Sequence, residues 1–215
     1  MNKRFLSNIF RHYYVREFRK GHIITIIPSY ECNFRCSYCA RNQYGDVPKA
    51  DLKSLEDWKY HLKSLDTSLR LGRSNIKAII FNGGEPTILP YFNELADWIL
   101  DQGWMLDVFT NLSKIAPLLR LRQTHRLIIH ASHHPEDMKA SRFISNWKKV
   151  DKMHRVEVRE MGERRLMNTH KKTHLFPYAD ISKEKESDLI GHLRIDPNLN
   201  IYFSCEGDVR ANIKQ

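Results

Sequence analysis

Cys32, Cys36 and Cys39 lie within eight residues at C-x3-C-x2-C spacing, and they are three of only four cysteines in the 215-residue chain. A thiolate is the form in which cysteine binds metal, and three held on one short loop converge on a single zinc ion or iron–sulfur cluster. Cys205 lies far along the chain, so no nearby fourth ligand closes the set. A four-iron four-sulfur cubane on these three would keep one iron open to an exogenous ligand, which is how a cluster becomes a catalyst. The spacing differs from the C-x2-C-x2-C-x3-C run of bacterial ferredoxins.

The flanking residues place this loop. His22 to Ile27 is short, apolar and β-branched, as expected of a buried parallel strand, and Pro28-Ser29-Tyr30 ends it. The cysteine loop therefore follows the C-terminal edge of a first strand, where catalytic loops lie in β/α barrels. A second strand is predicted at Ile76 to Phe81, followed by Asn82-Gly83-Gly84-Glu85-Pro86-Thr87. Two adjacent glycines permit backbone conformations and a close ligand approach that a Cβ would block.

These two motifs resemble those of the radical SAM enzymes. That family carries C-x3-C-x2-C with an aromatic residue before the last cysteine, here Tyr38, and a Gly-Gly-Glu-Pro motif after its second strand, here Gly83 to Pro86. The resemblance covers about residues 22 to 180. It implies that Cys32, Cys36 and Cys39 bind a 4Fe-4S cluster whose fourth iron takes the amino and carboxylate groups of S-adenosyl-L-methionine (SAM). An electron from a reductant such as flavodoxin or ferredoxin then cleaves SAM, and the resulting 5′-deoxyadenosyl radical abstracts hydrogen from a substrate. On the same resemblance Tyr38, Gly83, Gly84, Glu85, Pro86, Thr110, Asn111 and Ser132 are cofactor-binding. Backbone carbonyls of the Gly-Gly segment and Glu85 hold the SAM amino group, Thr110-Asn111 closes the third strand near SAM, and Ser132 contacts the ribose. The fold implied is α/β, a partial (β/α)6 TIM-like barrel in a single domain. Residues 1–21 form a basic N-terminal segment, 22–180 the core, and 181–215 a C-terminal extension packed on it.

Between the motifs the chain alternates as such a barrel requires. A helix is predicted from Ser54, with Ser54 and Asp57 as a capping arrangement and Leu55, Trp58, Leu62 and Leu65 as its core stripe. Tyr91 to Leu100 reads as a second helix, Trp104 to Phe109 as a third strand and Ser113 to Leu121 as a third helix. The fourth strand is predicted at Arg126 to Ala131, ending in Ser132-His133-His134-Pro135-Glu136, whose polar residues are placed to reach the ribose or the substrate, with a helix beginning at Pro135. Neighbours on an extended segment point opposite ways, so His133 and His134 do not easily share one ion. They are either catalytic or substrate-contacting groups or a polar pair capping the next helix. Arg155 to Met161 alternates like a fifth strand, with Glu157 and Arg159 on one face as an ion pair or as barrel-lining contacts. His174 to Tyr178 is a candidate sixth strand, Ser182 to Ile190 a short helix, and Leu193 to Phe203 a hairpin around Asp196-Pro197-Asn198. One cysteine cannot hold a second cluster, so Cys205 reads as a buried or incidental thiol, or as a hydrogen-atom donor.

Charge bears on the substrate. The formal net charge is +10, concentrated in residues 1–20 and 139–172. Such patches steer a protein to an anionic partner or simply keep a face solvated. Six strands would leave a lateral opening, which the resemblance associates with large substrates, and with the basic patches this favours nucleic acid, with peptide modification or glycyl-radical activation as alternatives. Phe5, Ile9, Tyr13 and Phe18 give residues 3 to 19 a loose amphipathic spacing. No apolar run is long enough to span a bilayer and no signal-peptide core is seen, which points to a cytoplasmic oxidoreductase or transferase with no stable membrane insertion. A rival of another class is a zinc module in which the three cysteines and a histidine or Cys205 hold one ion beside a basic nucleic-acid surface. It leaves Gly-Gly-Glu-Pro after an apolar strand without an explanation.

Overall fold

Apolar, β-branched segments separated by amphipathic helices dictate a parallel sheet, because each strand must be recrossed by a helix before the next one pairs with it. The computed structural model describes residues 21–37, 39, 52–160 and 192–203. The elements are β1 (His22–Ile26), α1 (Leu55–Leu71), β2 (Ile76–Phe81), a 3-10 turn (Pro86–Ile88), α2 (Phe92–Asp101), β3 (Met105–Thr110), α3 (Ile115–Arg120), β4 (Leu127–His133), α4 (Ala140–Val150), β5 (Arg155–Glu160), β6 (His192–Ile195) and β7 (Ile201–Phe203). Among the described residues they form one seven-stranded sheet in the order β5-β4-β3-β2-β1-β6-β7. Every neighbouring pair is parallel except β6 and β7. This is the parallel core expected of a partial β/α barrel.

Period-two alternation splits the sheet into two faces. Ile24, Ile26, Ile79, Phe81, Leu106, Val108, Ile129 and Ala131 are fully buried and share a core with Trp58 and Leu62 of α1, Phe92, Leu95 and Ile99 of α2, Leu118 of α3 and Phe143 of α4. The registers put Thr25, Ile80, Asp107, Phe109, His130, Ser132, Glu157 and Arg159 on the opposite face. Helix α1 starts as its sequence predicts. The Ser54 side chain accepts from the Asp57 amide, and the Asp57 carboxylate accepts from the Ser54 amide, a complete capping box. At its far end Asp66 accepts from Arg70 Nε (2.6 Å) and from the Ile76 amide (2.9 Å), which ties α1 to the start of β2.

Two expectations change and a third holds. β4 runs two residues further than Ala131, because Ser132 and His133 pair in register with Arg159 and Glu160 of β5. Helix α4 begins at Ala140, not Pro135: the His134 carbonyl accepts the amides of Asp137 (3.1 Å) and Met138 (2.9 Å), forming a turn that the extended Lys139 ends. The hairpin at Leu193 to Phe203 is present, closed by Asp196 Oδ1 accepting from the amides of Asn198 and Asn200 (both 2.9 Å), and it joins the sheet through β1. Residues 3 to 19, Tyr38, the candidate strand at His174 to Tyr178, the candidate helix at Ser182 to Ile190 and Cys205 lie outside the described residues.

Candidate functional site

All strands from β1 to β5 are parallel, so the segments that leave their C-terminal ends meet along one edge of the sheet. Cys32, Cys36 and Cys39 follow β1, Gly83 to Pro86 follow β2, Thr110 and Asn111 close β3, and His133 and His134 close β4. The sequence-predicted residues described here are thus gathered at one edge, although 79 residues separate Cys32 from Asn111 and 98 separate Cys36 from His134.

The two motif loops are joined through their backbones. The Gly84 amide donates to the Ser29 carbonyl (3.0 Å) and the Glu85 amide to the Glu31 carbonyl (2.8 Å). Gly83 has φ +129, and a Cβ there would come within 2.5 Å of the Ser29 carbonyl oxygen. A Cβ on Gly84 would collide with the backbone of Glu31. What the glycines admit here is the approach of the cysteine loop itself, in a backbone conformation that Gly83 adopts at positive φ.

Glu85 is the hub of this edge. It is 2% exposed. Its Oε1 accepts from Thr87 N (3.1 Å), Thr87 Oγ1 (2.6 Å) and Thr110 Oγ1 (2.7 Å), and its Oε2 accepts from Asn111 N (2.6 Å). Burial pushes its carboxyl above the usual range and these hydrogen bonds oppose the push. Pro86 is buried at the start of the 3-10 turn. Asn111 carries the connection onward: its Nδ2 lies 3.8 Å from Cys32 Sγ and 3.2 Å from Asn33 Oδ1, while Asn33 Nδ2 donates to Ser113 Oγ (2.8 Å).

None of the three cysteines is in a disulfide; Cys36 is buried, and Cys32 and Cys39 are half-buried. Cys32 Sγ accepts from the Phe34 amide (3.4 Å), and burial, followed by the nearby Glu85 charge among the raising causes, pushes this thiol up. As the side chains are placed, no three His, Cys, Asp or Glu groups among the described residues are close enough together to hold a metal ion. The donor set fits an iron–sulfur cluster in kind, since cysteine thiolates are the ligands that hold such clusters.

On the β4 side the two histidines diverge as strand geometry requires. His133 turns toward the helices, its Nε2 2.9 Å from the Met138 carbonyl and its ring packed on Phe143. His134 turns to the cysteine loop, with Nδ1 3.2 Å from Cys36 Sγ and its ring edge-on to Phe34. Glu136, which the sequence offered only as part of the polar end of the fourth strand, and Asp137, which it did not select, also reach this loop. Glu136 accepts from Ser37 N and Oγ (both 2.7 Å), and Asp137 accepts from Arg35 N (3.0 Å). The signal that pointed their way was the position of their segment, after a strand that ends at the same edge. Ser132 lies on the opposite sheet face to His133, beside Arg159 in the register, and is half-buried. Glu157 pairs with Arg155 (2.6 Å) and approaches His130 Nδ1 (3.5 Å), while the Arg159 guanidinium lies over the Phe109 ring. No helix among the described residues is long and apolar enough to cross a membrane.

A family model described as the Radical SAM superfamily matches residues 26–157, more than half of the chain. A curated relative, an S-adenosylmethionine-dependent nucleotide dehydratase from Selenomonas ruminantium, is 31% identical over 83 residues, 38% of this chain and 26% of that protein. Among solved structures, Streptococcus suis SuiB bound to S-adenosylmethionine superposes with TM-score 0.56 at 14% identity, over 96% of this chain and 66% of that one. SuiB bound to precursor peptide SuiA gives TM-score 0.51 at 16% identity, over 70% of this chain and 36% of that one. BtrN in complex with AdoMet and 2-DOIA gives TM-score 0.51 at 13% identity, over 86% and 73%. The chain thus spans about a quarter of the curated relative it matches.

Proposed function

The chain belongs to the radical SAM superfamily, an enzyme superfamily acting through SAM cleavage, and from that premise we propose that Cys32, Cys36 and Cys39 hold a site-differentiated 4Fe-4S cluster. The observation that carries this is the convergence of the post-β1, post-β2, post-β3 and post-β4 segments on one loop that bears all three thiols. When bound, cluster and SAM supply reductive cleavage of SAM and abstraction of hydrogen from the substrate, with the electron drawn from a flavodoxin- or ferredoxin-like donor.

The chain's own residues divide the remaining work. The Glu85 carboxylate accepts from Thr87, Thr110 and Asn111, so Glu85 acts as a positioning residue for Thr110 and Asn111 beside the proposed SAM site. Among the described residues no donor takes the carbonyl oxygens of Gly83 and Gly84, which suits them to the SAM amino group. Pro86 locks the turn behind them. Tyr38, Thr110, Asn111 and Ser132 complete the proposed SAM contacts.

For the substrate we infer a peptide in place of the nucleic acid that the overall charge favours. The rim beside the cysteines exposes Glu31, Glu136 and Asp137 along with Arg35, and the opposite sheet face carries Asp107 and Glu157 beside Arg155 and Arg159. A polyanion is held by dense Lys and Arg contacts, and these carboxylates oppose it. The fold shared with SuiB, a protein whose structure holds a precursor peptide, supports the same reading. A nucleotide is the second reading, favoured by the 31% identity to the nucleotide dehydratase.

The test is anaerobic reconstitution with iron and sulfide, addition of SAM and dithionite, and chromatography for 5′-deoxyadenosine. Formation that disappears in Cys32→Ala, Cys36→Ala and Cys39→Ala is the expected result, and SAM cleavage retained by any of these variants contradicts the ligand assignment. Acceleration of turnover by peptides, and not by nucleoside triphosphates, supports the peptide reading; the reverse supports the nucleotide.

A further inference from the structure

We infer that His134, Glu136 and Asp137 form a clamp on the cysteine loop in which His134 donates a hydrogen bond to the Cys36 sulfur and raises the reduction potential of the cluster, while the two carboxylates hold the loop closed around it. This rests on the cluster reading above and adds residues to it that neither cysteine motif nor Gly-Gly-Glu-Pro contains.

The geometry is specific. Four consecutive loop residues are each touched from the post-β4 turn. The Phe34 ring meets the His134 ring edge-on at 5.9 Å, Asp137 Oδ1 accepts from Arg35 N, His134 Nδ1 lies 3.2 Å from Cys36 Sγ, and Glu136 takes both Ser37 N and Ser37 Oγ. The turn is anchored from behind. The His134 carbonyl accepts two amides, and His133 fixes the end of the strand by bonding the Met138 carbonyl and packing on Phe143. Such a turn delivers its side chains in a fixed direction.

The chemistry follows from the ligand form of cysteine. A metal-bound thiolate carries no proton, so a nitrogen 3.2 Å from it is in hydrogen-bond contact only if that nitrogen is the donor. His134 is then held with its proton on Nδ1. A donor to a ligating sulfur withdraws electron density from the cluster and favours the reduced state; hydrogen bonds to sulfur and solvent exposure are among the determinants of iron–sulfur potentials. Outer-shell partners of this kind also govern how tightly the metal is retained. His134 is a positioning and tuning residue, acting through Cys36 and not on the substrate.

The test uses the full chain, reconstituted anaerobically, with an EPR-monitored redox titration and the rate of iron release to a chelator as readouts. His134→Leu removes the donor, and His134→Asn keeps an N–H near the Nδ1 position. The expected result is a lower midpoint potential in His134→Leu, a midpoint near wild type in His134→Asn, and iron release faster by roughly 10- to 100-fold in Glu136→Ala/Asp137→Ala. These two carboxylates are exposed, so the double variant is expected to unfold close to the wild-type temperature. A wild-type midpoint in His134→Leu, or one in His134→Asn that falls as far as in His134→Leu, overturns the donor role; unchanged iron release in the double variant overturns the clamp. In either event a brown wild-type protein that cleaves SAM leaves the cluster reading standing, whereas a wild-type chain that takes up no iron overturns both.

Discussion

On its β2–β3 side the cysteine loop rests on backbone amides and on Asn111, which one buried carboxylate organises, and on its β4 side it is held directly by two exposed carboxylates. Glu85 is 2% exposed and satisfies donors from Thr87, Thr110 and Asn111, all within the packed edge of the sheet. Glu136 and Asp137 stand in solvent and accept from Ser37 and Arg35. A buried acceptor with several donors is costly to remove, because each donor loses its partner without gaining water. Water competes for an exposed one, so it holds a loop in place with little effect on global stability. The first side therefore belongs to the fold and the second to the function of the loop.

Glu85→Leu should break this contrast most severely. Unmet buried donors cost about 1–3 kcal/mol each, so a large fall in urea midpoint, or failure to fold, is expected; Glu85→Gln, which keeps one acceptor oxygen, should lose less. Wild-type stability in Glu85→Leu would show that the buried hub holds nothing. Gly84→Ala comes next. Its Cβ would meet the Glu31 backbone, and relief of such crowding costs typically 1–3 kcal/mol, hence about that much here; thermal melting checks it. Glu136→Gln/Asp137→Asn should lower the melt least of the three and act chiefly on the loop, seen as faster amide exchange at Arg35 and Ser37.

The pH response sharpens the same comparison. Burial raises the Glu85 carboxyl, so the folded state binds its proton more tightly than the unfolded chain, and this group's contribution falls as pH rises from the ordinary carboxylate range toward the raised value. Hydrogen bonds from Ser37 lower the Glu136 carboxyl, so its contribution is complete above the ordinary range and is lost as pH falls through the depressed value. Urea unfolding across acid pH should show the Glu85 slope vanish in Glu85→Gln and the opposite, smaller slope vanish in Glu136→Gln. Identical pH profiles for wild type and both variants would count against the assignment.

What could be read from residues alone follows the range of the interactions involved. Strand β2 is found at the predicted Ile76 to Phe81, and the Ser54–Asp57 cap and the hairpin around Asp196 are local patterns that the sequence states outright. The glycines announced that a Cβ is forbidden at Gly83 and Gly84, but not that the excluding atoms belong to Ser29 and Glu31. His134 could be flagged as a histidine at a strand end, whereas its partner Cys36 is 98 residues away and is brought to it only by the parallel order of β1 to β4. The position of β6 against β1 escapes the sequence for the same reason, since periodicity reports a strand's faces and not its neighbours.

The most direct measurement is the iron and acid-labile sulfide content of the anaerobically reconstituted chain, taken with its EPR spectrum before and after SAM is added, for wild type and Cys36→Ala. The expected result is about four iron and four sulfide per wild-type chain, a reduced-cluster signal that shifts on adding SAM, and neither in Cys36→Ala. A colourless wild-type protein carrying zinc, or a cluster signal indifferent to SAM, would contradict the assignment of this loop as a SAM-binding cluster site.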